Sequence, residues 1–333
     1  MAIARPHTQR AAVTFRDFQP EDFPALVEIW NLTYPEHPTT IEQERFEWGN
    51  FDTTKYLRRR YVAVDPSGAV VGEASFSHMP SSHDPERFGM WIGVHPQWRQ
   101  KGVGTALYEH LGGQFRALHA RMLRTWMRET MTETAAWLAR RGFRELMRGW
   151  ESRLDLGSFD PARFGNHSDP PQRVEIVTLA EELARDSDAI RVLYELDCAI
   201  SPDEPRIDPF TPPDFAMYRD WVLNSPGSMP EAIFIAKDGD RYVGLTELFR
   251  NEALPDTLQT GFTGIRREYR GRGIALALKL RALRWAKPRG YREVRTWNST
   301  LNAPMLGINV RLGFVKQPAW ITFCKDLASG ALG

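Results

Sequence analysis

The chain of 333 residues is too long for one average domain and fits two of roughly 150 residues each. Its formal charge of +1 at pH 7 argues against a dominant nucleic-acid footprint. No apolar run approaches the ~20 residues of a membrane span, and two cysteines, Cys198 and Cys324, cannot build a disulfide framework.

The opening MAIARPHTQRAAV has no apolar leader core, so a flexible arm over residues 1–12 on a soluble cytoplasmic protein is expected. Val13 to Phe18 reads as a strand. Gln19-Pro20-Glu21-Asp22 opens a helix to about Leu32, with Phe23, Leu26, Val27 and Trp30 on one face. Tyr34 to Tyr56 reads as a loop plus a helix. Strands follow at Tyr61 to Val64 and Val70 to His78, around the turn Asp65-Pro66-Ser67-Gly68. Phe88 to Val94 is a strand, Val103 to Ala120 a helix and Leu123 to Met127 a strand. Thr132 to Arg141 is a short helix stopped by Gly142, and Trp150 to Leu154 a last strand. Residues 158–173 lack an apolar period and read as a linker between domains at 13–157 and 174–333.

Val174 to Thr178 restarts the pattern, followed by a helix through about Cys198 and by Ser201 to Pro213, which carries five prolines. Glu231 to Lys237 and Arg241 to Phe249 are strands, as are Phe262 to Ile265, Glu293 to Trp297 and Trp320 to Lys325, which ends the second domain. Ile274 to Trp285 is an amphipathic helix, and a shorter one ends at Gly313-Phe314. Each half is thus mixed α/β, antiparallel strands first and a βαβ-like crossover after.

The second half repeats the first. Arg124-Thr125-Trp126 recurs as Arg295-Thr296-Trp297 (295 − 124 = 171), and Gly142-Phe143 recurs as Gly313-Phe314 at the same offset. Gly93, Arg99 and Gly102 keep that register with Gly264, Arg270 and Gly273. In each copy a strand enters a basic, glycine-punctuated loop that opens a helix: Arg99-Gln100-Lys101-Gly102-Val103-Gly104-Thr105 and Arg270-Gly271-Arg272-Gly273-Ile274-Ala275. Such a loop offers unpaired backbone N–H groups, the positive end of a helix dipole and arginines that grip phosphate. Neither loop has the Gly-Lys-Ser/Thr of a P-loop or the third glycine of a dinucleotide fingerprint.

These loops resemble the Arg/Gln-x-x-Gly-x-Gly/Ala motif of the GCN5-related N-acetyltransferases, and Asn302…Gly313-Phe314 resembles that family's last motif. The resemblance implies two tandem domains, each a mostly antiparallel sheet splayed open between two strands and flanked by helices. It implies acetyl-CoA as coenzyme and direct transfer to a small-molecule primary amine in a ternary complex. Charge, hydropathy and cysteine placement argue against nucleic-acid, membrane and metal partners, and a monomer or homodimer is expected. The coenzyme would be held by Val94, Arg99, Gln100, Lys101, Gly102, Val103, Gly104 and Thr105 in the first copy. In the second it would be held by Ile265, Arg270, Gly271, Arg272, Gly273, Ile274, Ala275 and Asn302.

The copies differ where the family places its chemistry. Asn302 stands eleven residues before Gly313, where the first copy has Met131; Asn309 stands where a tyrosine commonly protonates the leaving thiolate, and the first copy has Leu138. The second half is therefore expected to be the catalytic one, with Asn309 near the sulfur and the Ile265 N–H (Val94 in the first copy) as oxyanion donor. Glu247 is the expected base, and Glu73, after Val71-Gly72, the similar carboxylate of the first copy. Two alternatives stay open: a first half that only binds coenzyme or supports the interface, and a sensor that transfers nothing. Trp126 and Trp297 are expected in the cores, and Trp48, Trp91 and Trp221 are candidates for an acceptor pocket. Arg58-Arg59-Arg60 reads as a solvated helix end, and Arg266-Arg267 as a candidate phosphate contact. Asp203, Glu204, Asp208 and Asp214 would suit a cationic amine.

Overall fold

The computed structural model describes residues 12–168, 170–171 and 173–327, so the expected arm lies almost wholly outside it. The first half runs β1 (Thr14–Asp17), α1 (Phe23–Thr33), α2 (Ile41–Gly49), β2 (Arg58–Val64), β3 (Val70–Ser77), β4 (Arg87–Val94), α3 (Val103–Ala117), β5 (Met122–Arg128), α4 (Thr132–Ala139) and β6 (Arg144–Asp155). The second half runs β7 (Val174–Thr178), α5 (Leu179–Arg185), α6 (Ala189–Ile200), α7 (Phe215–Asn224), β8 (Ile233–Asp238), β9 (Arg241–Asn251) and β10 (Leu254–Ile265). It ends with α8 (Ile274–Ala286), β11 (Glu293–Ser299), α9 (Ala303–Leu312), β12 (Val315–Lys316) and β13 (Trp320–Asp326).

The halves share one sheet, in the order β1-β2-β3-β4-β5-β13-β6-β11-β10-β9-β8-β7. Read from either end, this order is the same once equivalent strands are exchanged. At its centre the repeats interdigitate. Trp320 to Asp326 pairs with β5 of the first half, and Gly149 to Asp155 pairs with β11 of the second. At about 3.3 Å per residue the 12-residue β6 runs about 40 Å, far enough to serve both halves. Its opening residues, Arg-Glu-Leu-Met-Arg-Gly, do not alternate apolar with polar, which hid that part of the strand from a sequence reading. The exchanged strands carry apolar side chains into the foreign core: Ile321 and Phe323 join the first half's, Leu154 the second's. Each half thereby loses a sheet edge that would otherwise lie open.

The segment expected as a linker packs as well. Phe159 is buried in the second core and Phe164 packs against it, with the Phe159 carbonyl accepting from Lys287 Nζ at 2.5 Å. The helix expected through Cys198 is two helices, broken at Asp186 after a capping box on Thr178 and Glu181. The Arg58-Arg59-Arg60 run begins β2 instead of ending a helix.

Candidate active site in the two clefts and the chamber between them

In each half two parallel strands start together and part. β4 and β5 pair only from Arg87/Met122 to Gly89/Arg124, and β10 and β11 only from Thr257/Glu293 to Gln259/Arg295. Beyond those points a cleft opens. The Arg266 N–H bonds to Val243 O on the neighbouring β9 (2.9 Å), so strand alternation turns the N–H and C=O of Ile265 the other way, into the cleft. His95 and Val71 (3.0 Å) turn Val94 likewise. Both cleft-side carbonyls are occupied, Ile265 O by Arg270 Nε (2.9 Å) and Val94 O by Arg99 Nε (3.1 Å). The N–H groups remain as donors.

The loops then turn through left-handed backbone at Gln100 (φ 61) and Gly102 (φ 85), and at Gly271 (φ 73) and Gly273 (φ 81). Glycine takes this conformation without strain; Gln100 does so at a cost its counterpart Gly271 avoids. Gly102 and Gly273 cap α3 and α8 with no side chain bonded to the first turn, and a Cβ at Gly271 or Gly273 would meet only open space. This is a preformed anion cradle of backbone N–H groups. The arginines are less free than the loop sequence implies. Arg270 also pairs with Asp203 (2.5 Å), Arg272 donates to Glu268 O (2.8 Å), Arg99 donates to Thr33 Oγ1 (2.8 Å) and Lys101 lies over Trp98. Arg266 is tied to Tyr242 O and Arg267 to Asp203.

The second cleft, about 630 Å³, is lined by Ile265, Arg270, Gly271, Gly273, Ile274, Ala275 and Asn302. The first, about 820 Å³, is lined by Val94, Arg99, Gln100, Gly102, Gly104 and Thr105. Arg272 does not line the second cleft, nor Lys101 or Val103 the first. Asn302 caps α9, its side chain accepting from the Met305 N–H at 3.3 Å. Asn309 is buried behind the wall and donates to Asn298 Oδ1 at 2.6 Å, so Asn298, which does line the cleft, is the amide presented there. No sequence motif marked Asn298.

Between the halves lies a chamber of about 820 Å³. Gly261, Phe262 and Trp297 line both it and the second cleft, while Met90, Trp91 and Trp126 line both it and the first. Trp126 is 41% exposed toward this space, so it and Trp297 are chamber walls, contrary to the core role expected of them. Trp91 and Trp221 line the chamber; Trp48 instead stacks on Arg58 (3.7 Å). Glu247 lines it from β9, 8% exposed, with Oε2 accepting from the Phe262 N–H (2.9 Å) at an irregularity in β10. Burial, with Asp197 nearby, pushes its carboxyl up to about 8. Glu73 faces the chamber too, yet opposes Gly93, whereas Glu247 lies beyond Thr246, which opposes Thr263. In the common register Glu73 thus matches Leu245, so the carboxylates share a face of the sheet without being equivalent. The acidic loop residues are neutralised: Asp203 by Arg267 and Arg270, Glu204 by Arg206, Asp208 by Arg87 and Arg124, Asp214 by Lys55.

The model of the GNAT acetyltransferase family matches residues 23–143 and 190–314. The chain belongs to that family. It is 25% identical to a mycothiol acetyltransferase of Thermobifida fusca over 76% of this chain and 78% of that one, and 24% identical to that of Catenulispora acidiphila over 82% of each. In fold it resembles a tandem GNAT protein from the clavulanic acid biosynthesis pathway (TM-score 0.74, 20% identity, covering 95% and 98%). It also resembles a GCN5-related N-acetyltransferase from Sphaerobacter thermophilus (TM-score 0.67, 21% identity, covering 94% and 95%). The protein is an N-acetyltransferase built of two GNAT units, and its family uses acetyl-CoA.

In this acetyltransferase one further cleft residue escaped the sequence reading. Lys279 on α8 is 3% exposed, lines the second cleft and, among the described residues, forms no ion pair; its ammonium lies over the Phe314 ring, 5.5 Å from the centroid. Burial lowers its ammonium to about 8. The signal was available, since Lys279 interrupts the buried face of an otherwise apolar helix. Its counterpart Tyr108 instead accepts a hydrogen bond from Lys325 Nζ (3.1 Å) on the exchanged strand. Among the described residues no helix is long and apolar enough to cross a membrane.

Proposed function

We propose that the protein transfers an acetyl group from acetyl-CoA to a primary amine of a small molecule, with the second half as the catalytic one. The observation that carries this reading is Glu247, a buried carboxylate with no cationic partner among the described residues, which lines the chamber and holds the N–H of Phe262, a residue lining both the chamber and the second cleft. The coenzyme fits the cleft on its own terms: a first turn of α8 without a side-chain cap, a glycine turn open to solvent and, among the described residues, a buried ammonium without an ion pair for negative charge. When bound, it supplies an activated acyl group on a thiol leaving group. Gly271, Gly273, Ile274 and Ala275 would hold its phosphates, and Asn302 and Lys279 would face its arm.

An alkyl ammonium, with a pKa near ~10, must shed a proton before it attacks. Glu247 takes that proton on the chamber side. The Ile265 N–H, fixed by the strand and needing no reorganisation, stabilises the developing oxyanion. Asn298, oriented by Asn309, turns its amide N–H₂ toward the departing sulfur. The first half, with Met131 and Leu138 at the matching positions, acts as a coenzyme-binding or structural module. Both cysteines are unpaired, which suits a reducing cytoplasm. The test is Arg270→Glu combined with Gly273→Asp, followed by acetyl-CoA titration and coenzyme release with an amine panel. Loss of binding and turnover supports the assignment; unchanged affinity and turnover overturn it.

A further inference from the structure

The chamber is larger than a simple amine needs, and it has two doorways. Its volume of about 820 Å³ lies toward the upper end of the 300–1,000 Å³ usual for drug-sized ligands. Each doorway is flanked by a buried carboxylate. At the second, Glu247 has Oε2 on the Phe262 N–H (2.9 Å), and among the described residues no salt bridge holds the carboxylate. At the first, Glu73 is 3% exposed; Oε1 accepts from Trp91 Nε1 (3.2 Å) and the buried Oε2 has no hydrogen-bond partner among the described residues. The nearest cation to Glu73, Arg60 Nε at 3.6 Å, is shared with Glu44. Burial holds both carboxyls above the usual range.

The charge of the whole lining has the same sign. Five glutamates face three arginines. Of those arginines, Arg58 is committed to the Glu47 and Trp48 carbonyls, and Arg250 stands 3.9 Å from Glu252. Aromatic side chains line the same space: Trp126 at the first doorway, Trp297 at the second and Phe249 in the chamber. A negative group at each doorway with aromatic walls describes the complement of one molecule.

We propose that the acceptor is an elongated diamine, seated with one amine at Glu247 beside the second cleft and the other, as an ammonium, at Glu73. The second ammonium offsets the buried charge of Glu73 and sets the register that brings the first to the acyl carbon. Glu247 takes one proton from the first ammonium; the freed amine forms the C–N bond, the C–S bond breaks with its electron pair going to sulfur, and the second proton lost from nitrogen leaves with that sulfur as the thiol. The product has lost one of its two charges, and with it part of its hold on the chamber. This inference rests on the catalytic reading above for its chemistry, but not for its binding.

The experiment compares α,ω-diaminoalkanes of four to eight carbons with monoamines of equal length, using the full chain and acetyl-CoA. The expected result is a KM at least tenfold lower for the best diamine, about 1.4 kcal/mol, and a collapse of that ratio toward one in Glu73→Gln. Equal KM values in the unmodified protein, or a ratio that survives Glu73→Gln, overturn the proposal. If that variant does not fold, the unmodified comparison alone decides. Calorimetric titration of the same amines without thioester keeps the two readings apart. Tight, Glu73-dependent diamine binding without turnover would support the chamber and sink the catalytic reading. Equal diamine and monoamine affinities would sink the chamber proposal whatever the turnover.

Discussion

The two clefts are copies of one design, and their differences bear on the proposal that the second half does the chemistry. Both keep the parting strands, the freed N–H, the arginine folded back onto the strand carbonyl and the left-handed glycine before the helix. They diverge further in. The first is lined by Met131, Trp137 and Leu138; the second by Asn302, Ile308 and Asn298, with Lys279 beneath. At these positions one half presents apolar side chains, and the other presents amides together with Lys279, whose ammonium burial lowers to about 8. Burial raises a carboxyl in each half, Glu73 and Glu247, so Lys279 is the perturbed group that separates the clefts, and such groups are expected where chemistry is done.

The sharpest way to break the comparison is to spoil each cradle in turn. Gly273→Asp puts a side chain on left-handed backbone and a negative charge where phosphates would bind. We expect acetyl-CoA affinity at the second cleft to fall about 100-fold, near 2.7 kcal/mol, with turnover lost. Gly102→Asp makes the same damage in the first cleft and should remove one equivalent of bound coenzyme while leaving most of the turnover. Equal losses of turnover in both variants would show two working halves.

Next in size is Glu247→Gln. If the carboxylate is the base, kcat should drop about 10²- to 10³-fold. The pH dependence has a definite sign. The ionised fraction of a carboxyl raised to about 8 grows tenfold per unit below that value, so kcat/KM should climb toward pH 8 and level off above it, and the variant should lose that limb. Stability moves the opposite way. A folded-state pKa above the ordinary 4.5 means that stability is full below 4.5 and declines as pH rises through about 8. Glu247→Gln should therefore gain Tm relative to the unmodified protein at pH 9 but not at pH 4, a difference readable by calorimetry.

How much of this was open to a reader of the sequence depends on how local each feature is. The cradles and the repeat were legible because loop, helix start and offset lie within about fifty contiguous residues. So was the family. The strand exchange was not, because nothing in Trp320 to Asp326 says which β5 it will join; two similar edges compete, and the choice is made by the whole assembly. The chamber was illegible for the same reason. Trp126 and Trp297 alternate on their strands as core residues would, and only the approach of the other half turns their faces into walls. Glu73 and Glu247 looked equivalent from their order after a Val-Gly pair, but they differ in register by two residues, which the ladder pairing shows and the order hides.

A smaller effect is expected from Lys279→Met. Because burial lowers this ammonium from 10.5 to about 8, the lysine's stability contribution is full only above pH 10.5 and is lost as pH falls through 8. Replacing an unpaired buried cation with an apolar side chain of similar length should stabilise the free protein at pH 7 by about 1–3 kcal/mol. The gain should shrink as pH rises toward 10. The thermal shift that acetyl-CoA produces should shrink too, if negative charge on the coenzyme is what Lys279 faces. Tyr108→Phe offers the contrast in the first half. It deletes a satisfied hydrogen bond to Lys325, strands that ammonium and should destabilise.

The smallest test exchanges the caps of the two short helices. Asn302 satisfies the Met305 N–H at the start of α9, while Met131 at the same place before α4 offers no side-chain acceptor. Asn302→Ala should cost about 1 kcal/mol, and Met131→Asn should return a similar amount to the first half. Those stability changes follow from capping alone and would appear in any helix. The informative quantity is the coenzyme-induced shift in Tm measured on each variant. If Asn302 also contacts the coenzyme, its loss lowers that shift beyond what the cap explains, whereas a gained cap at position 131 raises the Tm of the free protein and leaves the shift where it was. Equal shifts in both variants would make Asn302 a helix cap with no part in binding. The distinction between the clefts would then rest on Asn298, Lys279 and Glu247 alone.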